Sequence, residues 1–186
     1  LPDGLNPVGA GTLNGTTVAT NYGTTKVAHG VDFSGQDLVF FEYDAILGNG
    51  DNWAGLYSST CCNNQGIQMG GGGGYRADIR ENFGGIQIAL DGGTGPGANV
   101  ANHYRVEYDR SGAGAEVRFT ISEVGVPSNV YATHTQTVDS GFEDSIDNLT
   151  HFYLQFRPNS GTTSEIDNIV VGVPEPSTLA LFGLGA

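Results

Sequence analysis

Apolar and polar residues alternate one by one in several segments of this chain. The clearest case is 116–121, where Val117, Phe119 and Ile121 are separated by charged or hydroxyl side chains. The same alternation recurs at 39–45, 86–90, 104–109 and 152–156. Successive side chains of a β-strand point to opposite faces, so this pattern predicts strands with one buried and one solvated face. Such strands build a sandwich of two antiparallel sheets.

Further strands are expected from apolar and β-branched runs that lie between clusters of glycine, proline and short polar residues. They fall at Thr16–Tyr22, Trp53–Ser58, Tyr75–Arg80, Val130–Thr137 and Glu165–Gly172. Leu38 and Phe40 add apolar residues to the second face of the strand at 39–45, which indicates a strand covered on both sides. The only helical signal is a single turn near Glu143–Leu149.

Ten or more strands in one domain predict an all-β fold, an antiparallel two-sheet sandwich of the jelly-roll kind. The order of the strands resembles the concanavalin-like (laminin-G-like) sandwiches. We expect one such domain over residues 1–173, followed by an extended C-terminal tail over residues 174–186.

The charge balance excludes some classes of partner. The chain has 186 residues, with 7 Lys and Arg against 20 Asp and Glu, for a formal net charge of −13. This charge repels phosphate backbones and anionic lipid headgroups, so we expect no nucleic-acid partner. The chain starts at Leu1 without a methionine, which is consistent with a removed secretory signal.

The C-terminal tail begins with two prolines. Pro174 and Pro176 flank Glu175, and each proline fixes φ and lacks a backbone donor, so they terminate the preceding strand. An apolar run that includes Leu179, Leu181 and Phe182 follows directly. The segment Val-Pro-Glu-Pro-Ser-Thr at 173–178 resembles the PEP-CTERM sorting tail of bacterial surface and exopolysaccharide-associated proteins.

The resemblance implies an exported bacterial protein, secreted or held at the cell surface, whose tail is processed by an exosortase. In that family the tail continues into a longer membrane span and a basic cluster, whereas this sequence stops at Ala186 without an arginine cluster. The ten residues after Pro176 are fewer than the roughly 20 that a membrane helix needs.

Two carboxylates are the strongest enzyme-like feature. Glu165 and Asp167 are two residues apart on a predicted strand and therefore share a face. The segment resembles the Glu-x-Asp-x-x-Glu strand of laminarinase-type glycoside hydrolases, in which the two outer glutamates act as nucleophile and as acid/base. The second acid would fall near Ile169 or Val170, and neither is acidic. We therefore expect no enzymatic activity.

Cys61 and Cys62 are adjacent in sequence. Consecutive Cα atoms lie about 3.8 Å apart, whereas a relaxed disulfide prefers about 5.5 Å. A strained vicinal disulfide, disulfides to neighbouring subunits and two free thiols all stay open. No second cysteine pair accompanies them, so zinc is not expected.

Asp/Asn/Gly-rich loops at 48–52 and 91–99 supply the oxygen ligands that calcium accepts, with Asp51 and Asp91 as the candidate ligands. The same residues are ordinary turn formers. No other cofactor is expected. The glycine run Gly70–Gly74 is interpreted as a flexible loop, with a close approach of another backbone as the alternative. The four histidines, which are given surface or packing roles, are His29, His103, His134 and His151.

Three aromatic residues are candidates for contact with a sugar. Trp53 lies near Tyr57, and Tyr75 follows the glycine run. Aromatic rings stack well on the apolar faces of sugars, but they also fill cores.

These features predict a non-enzymatic structural protein of the bacterial cell surface or biofilm matrix. We expect it to self-associate as a homo-oligomer or polymer, by adding the apolar tail as a strand to the sheet edge of a neighbour. Repeated head to tail, this contact would form a filament. The alternative is a carbohydrate-binding module that holds exopolysaccharide.

Overall fold

The computed structural model describes the residues 6–7, 12–14, 17–19, 23–47, 52–58, 66–70, 76–81, 84–90, 100–138, 142, 146–156 and 164–173. Fourteen strands and one short 3-10 helix, Ile146–Asn148, lie in these ranges. None of the described segments is a helix with the length and apolarity that a membrane crossing requires.

The strands are numbered in chain order. The first seven are β1 (Asn6–Pro7), β2 (Thr12–Asn14), β3 (Thr17–Ala19), β4 (Gly23–Ala28), β5 (Leu38–Ile46), β6 (Trp53–Tyr57) and β7 (Gly66–Gly70). The others are β8 (Arg76–Glu81), β9 (Gly84–Ala89), β10 (Ala101–Asp109), β11 (Glu116–Glu123), β12 (Val126–Thr137), β13 (His151–Phe156) and β14 (Ser164–Gly172).

The strands form two antiparallel sheets. Sheet A has eight strands in the order β1-β2-β14-β5-β10-β11-β12, with β3 also paired to β14. Sheet B has six strands in the order β4-β13-β6-β7-β8-β9. The predicted all-β, two-sheet antiparallel sandwich is therefore confirmed.

One hydrophobic core joins the two sheets. Phe41 and Tyr43 of β5 face inward from sheet A, and Phe152 of β13 faces them from sheet B. The Phe152 ring centroid lies 6.0 Å from that of Phe41 and 6.2 Å from that of Tyr43, both in edge-to-face geometry. Within sheet A, Val106 lies opposite both Phe41 and Phe119, so neighbouring strands bury their apolar side chains in level rows.

Alternation predicted the faces of β5, β10 and β11, where inward residues are buried and outward residues are only partly buried or exposed. Phe40 lies on the outward face of β5, which was predicted to be covered. It is half-buried beneath the guanidinium of Arg105, with 4.4 Å between Cζ and the ring centroid.

Of the predicted strand at Thr16–Tyr22, residues 17–19 form β3 in sheet A, and a separate strand, β4, begins at Gly23 and pairs in sheet B. Strand β7 was not predicted. The loop interpretation is wrong for Gly70, the last residue of β7, whereas the alternative of a close backbone approach fits it, because a Cβ there would lie 2.0 Å from the carbonyl oxygen of Asn52. Both β6 and β7 are buried on both faces, so neither shows the alternation that marks a half-buried strand.

Candidate functional site

The outward side chains of four neighbouring strands, β14, β5, β10 and β11, form a continuous polar surface on sheet A. We call it the polar face, and its members are Glu42, Asp44, His103, Arg105, Glu107, Arg118 and Asn168. These residues alternate with buried core residues along each strand, so the pleat that builds the core also presents them outward.

Arg105 is the centre of the polar face. Its Nε and Nη2 donate to Oε1 of Glu107 at 3.1 and 3.0 Å, and its Nη1 donates to Oε2 of Glu42 across the β5–β10 pair. The other carboxylate oxygen of Glu107 accepts from Arg118 at 3.4 Å. With Phe40 beneath it, the guanidinium is fixed in the plane of the surface.

His103 lies between two carboxylates of β5. Its Nδ1 donates to Oδ1 of Asp44 at 2.8 Å, and its Nε2 is 3.7 Å from Oε2 of Glu42. The nearby carboxylate of Glu42, and then the hydrogen bond to Asp44, raise the pKa of His103 above its ordinary value, against the opposing effect of burial. The same contact with His103 lowers the pKa of Glu42, with a further contribution from Arg105.

A β-bulge in β14 completes the polar face. Asp167 lies opposite Asp44 and Val170 lies opposite Glu42, so two residues of β14 face the single intervening residue of β5. Asn168 has φ 52° there, a left-handed conformation that asparagine tolerates better than most residues. Its Nδ2 donates to Oδ2 of Asp44 at 2.7 Å.

The predicted carboxylate pair lies on this surface. Glu165 and Asp167 are only partly buried while Ile166 between them is buried, and Asp167 accepts the backbone N–H of Asn168 at 2.8 Å. Near the position expected for a second catalytic acid, Ile169 is buried in the core.

Two of the predicted sugar-contacting residues lie on the outward face of sheet B, but both are covered. Trp53 is 5% exposed and Tyr57 is 2% exposed. The Tyr57 hydroxyl donates to Oε1 of Gln68 at 2.5 Å, and its ring lies 5.0 Å from that of Tyr153. Their contact with a glycan stays a prediction, and this structure gives them no open stacking face.

Several predicted site residues lie outside the described residues. They are Cys61, Cys62, Asp51, Asp91, Tyr75, Pro174, Glu175, Pro176, Leu179, Leu181 and Phe182. Within the described part of the chain, no group of three His, Cys, Asp or Glu side chains is arranged to hold a metal ion. The calcium loops stay predictions.

Most of the polar face was not predicted from the sequence. His103 was expected to have a packing or surface role, and no function was predicted for Glu42, Asp44 or Arg105. One signal was present, since Glu42-Tyr43-Asp44 and Glu107-Tyr108-Asp109 both place charges on either side of a core tyrosine. That β5 and β10 are neighbours in the sheet was not visible in the sequence.

Comparison with known proteins supports the sorting tail and the sandwich fold of the chain. Residues 172–186 match the family described as the PEP-CTERM protein-sorting motif. None of the curated proteins matches the sequence.

Among solved structures, the chain is similar to an endo-1,3-beta-glucanase from Streptomyces sioyaensis, with a TM-score of 0.57 and 14% identity over 89% of this chain and 79% of the enzyme. It is also similar to botulinum neurotoxin type C, which interacts with two ganglioside molecules. That match has a TM-score of 0.56 and 12% identity over 95% of this chain and 42% of the toxin.

An engineered GH43 glycoside hydrolase with endo-xylanase and exo-arabinofuranosidase activity matches with a TM-score of 0.50 and 12% identity, over 91% of this chain and 36% of the enzyme. At such identities the likeness shows the fold alone, a β-sandwich of the concanavalin-like kind. The sorting motif marks the chain as exported. This protein therefore carries a PEP-CTERM protein-sorting motif, the mark of an exported cell-surface protein, at the C-terminal end of a concanavalin-like β-sandwich.

Proposed function

We propose that this surface protein binds a neutral polysaccharide on the polar face of sheet A and does not cleave it. The observation that carries the proposal is the network centred on Arg105, in which charged donors and acceptors are fixed on a half-buried surface. This specifies the carbohydrate-binding alternative that the sequence left open.

Sugar hydroxyl groups donate and accept hydrogen bonds at once. The polar face offers both partners side by side, since Glu42, Asp44 and Glu107 accept while Arg105 and Asn168 donate. Hydrogen bonds to charged groups are stronger than neutral ones. Because these side chains already hold one another in place, binding costs less side-chain entropy than on a mobile surface.

Charge argues for a neutral polymer. Along β5, β10 and β14 the polar face and its immediate neighbours, Glu165 and Asp167, carry more carboxylates than guanidinium groups. The whole chain has a formal net charge of −13. A polyanion would be repelled by this field before contact, whereas a neutral chain would not.

The carboxylates of the polar face are poor catalysts of glycoside hydrolysis. A general acid in that reaction needs a raised pKa, whereas the contact with His103 lowers the pKa of Glu42. Oδ1 of Asp44 accepts a hydrogen bond from His103 and Oδ2 accepts one from Asn168, so both carboxylate oxygens already have a partner. These features support binding without cleavage.

The test measures binding of the full chain to soluble β-1,3-glucan, arabinoxylan and alginate by calorimetry. The first two probes represent the substrates of the similar enzymes, and alginate is the anionic comparison. Arg105→Met removes the central donor, and we expect about a tenfold to hundredfold rise in Kd for the neutral probe that binds, from the loss of charge-assisted hydrogen bonds.

Arg76→Met is the matched control, because Arg76 is an exposed arginine of β8 in sheet B. Asp44→Asn repeats the test with a side chain of the same shape. The proposal is wrong if no neutral probe binds, or if Arg105→Met and Asp44→Asn bind as the wild-type does. Release of new reducing ends that Glu165→Gln abolishes would contradict the non-catalytic part.

The structural role in the biofilm matrix stays a second proposal. A surface-anchored domain that holds polysaccharide would crosslink matrix to cell without any chemistry. Filament growth through the apolar tail is a prediction about residues 174–186, which lie outside the described residues. Deleting residues 177–186 should leave a folded protein that no longer forms filaments, and filaments that survive the deletion would exclude the tail as the joint.

A further inference from the structure

Strand β12 ends sheet A. It is twelve residues long and pairs with β11 along one edge. The strand order of sheet A stops there, so within the described part of the chain no strand covers the other edge. An uncovered edge exposes backbone donors and acceptors that another strand can use.

The features that usually protect an edge are scarce on β12. Residues 126–137 contain no Asp, Glu, Lys or Arg. A proline at 127 and register shifts between residues 126 and 132 disturb only the first part of the strand. From residue 130 onward the sequence is Val-Tyr-Ala-Thr-His-Thr-Gln-Thr, rich in residues that favour strands. Thr133, Thr135 and Thr137 are exposed on its outward face.

Exposed valines lie at the hairpin end of the same edge. Val124, Val126 and Val130 are 37%, 43% and 47% exposed. Val100, at 42%, precedes β10, whose Asn102 lies opposite Glu123 of β11. Glu123 in turn lies opposite Val126, so the valines lie at the same end of sheet A, where β10 begins and β11 turns into β12. An apolar patch of this kind marks an interaction surface.

The charge of the chain selects the partner. The net charge of −13 would attract a basic partner to other parts of the molecule. Strand β12 itself has no carboxylate that could bind such a partner. A second copy of this chain would normally be repelled by its own acidic surface. At this edge both copies present a long strand without charged residues, with matching threonine and valine side chains, so pairing brings no carboxylates of β12 together.

We propose that β12 is a homotypic interface, in which the β12 strands of two copies pair antiparallel about a two-fold axis. Such a contact is self-complementary and joins the two A sheets into one. The axis is perpendicular to the sheet, so the polar faces of both copies lie on the same side. On the proposed function, one polymer chain would then meet two binding surfaces, which increases avidity.

The experiment is sedimentation equilibrium of the full chain across a range of concentrations. Thr135→Glu and Val130→Glu each add a carboxylate to the edge. In a single copy Thr135 lies opposite Arg118, so a glutamate there pairs favourably and the monomer keeps its fold. In the dimer the two added charges repel, and we expect Kd for dimerisation to rise about tenfold or more.

Asn148→Asp is the matched control, because it adds the same charge at an exposed position of the 3-10 helix. It should leave dimerisation within about twofold of wild-type, since it is not part of β12. Unfolding temperatures of all variants check that loss of the dimer is not loss of the fold.

Hydrogen exchange of the wild-type chain at low and high concentration gives a readout that needs no variant. Amides of residues 128–137 should gain protection as the concentration rises. A monomer at every concentration overturns the proposal. So does a dimer that both edge variants leave intact, or one whose protection appears elsewhere. None of these results depends on polysaccharide binding, which is measured separately.

Discussion

His29 is a titratable side chain that has become part of the core. It is buried, its Nε2 donates to the carbonyl of Leu149 at 2.6 Å, and its Nδ1 accepts the backbone N–H of Val31 at 3.1 Å. The ring stacks on Phe33 with centroids 4.9 Å apart. These contacts require the neutral ring, and burial lowers the pKa of His29 below its ordinary value of 6.5.

The lowered pKa predicts a loss of stability in mild acid. Below pH 6.5, His29 is protonated in the unfolded chain but stays neutral in the folded chain. The free energy of unfolding should therefore fall as the pH falls, until the pH is below the pKa of His29 in the folded protein. His103 acts in the opposite sense, because its raised pKa adds stability in acid that is lost as pH rises through the folded value.

Urea unfolding between pH 5 and 7.5, compared for wild-type and His29→Gln, isolates this contribution. The variant should show a shallower loss of stability toward acid pH than the wild-type. Equal slopes for the two proteins would show that His29 is not protonated on unfolding in this range.

At the scale of elements, the β6–β7 pair depends on a residue without a side chain. A Cβ on Gly55 would lie 2.0 Å from the carbonyl oxygen of Ile67 and 2.6 Å from the Cα of Gln68, both backbone atoms. The two strands can approach to hydrogen-bonding distance only because Gly55 lacks that atom.

Gly55→Ala should therefore destabilise the protein by about 3 kcal/mol, at the upper end for overpacking, because the neighbouring backbone must move. Gly114→Ala is the matched control, since a Cβ there meets open space, and its effect should stay within about 0.5 kcal/mol. Denaturant unfolding measures both. Similar stability of the two variants would mean that β6 and β7 are not packed as described.

At the scale of the whole molecule, Phe152 connects the sheets. Its ring meets Phe41 and Tyr43 of the opposite sheet, so neither sheet retains its full core alone. The protein should unfold as one cooperative unit, with equal midpoints by near-UV and far-UV circular dichroism.

Phe152→Ala should lower the free energy of unfolding by about 3–5 kcal/mol, a large part of the roughly 5–15 kcal/mol typical of a domain. Phe152→Leu refills most of the space and should cost less. Two separate transitions in either variant would show that the sheets fold independently.

The local sequence pattern was sufficient to predict β10 and β11 and their buried faces. A strand with one solvated and one buried face shows alternating polar and apolar residues in its sequence. It also placed Glu165 and Asp167 on one face correctly. It failed for β7, where Gln68 and two glycines occupy positions that are buried on both sides. A strand without a solvated face carries no alternation to detect.

The sequence by itself determined the fold class, the faces of the amphipathic strands and the exported character carried by the sorting motif, since each depends on residues close together in the chain. The tertiary structure alone decided which strands are neighbours. Arg105 meets Glu42 across 63 positions, and Asn168 reaches Asp44 across 124. Contacts at such separations follow from the order of strands in the sheet, and local alternation does not encode that order.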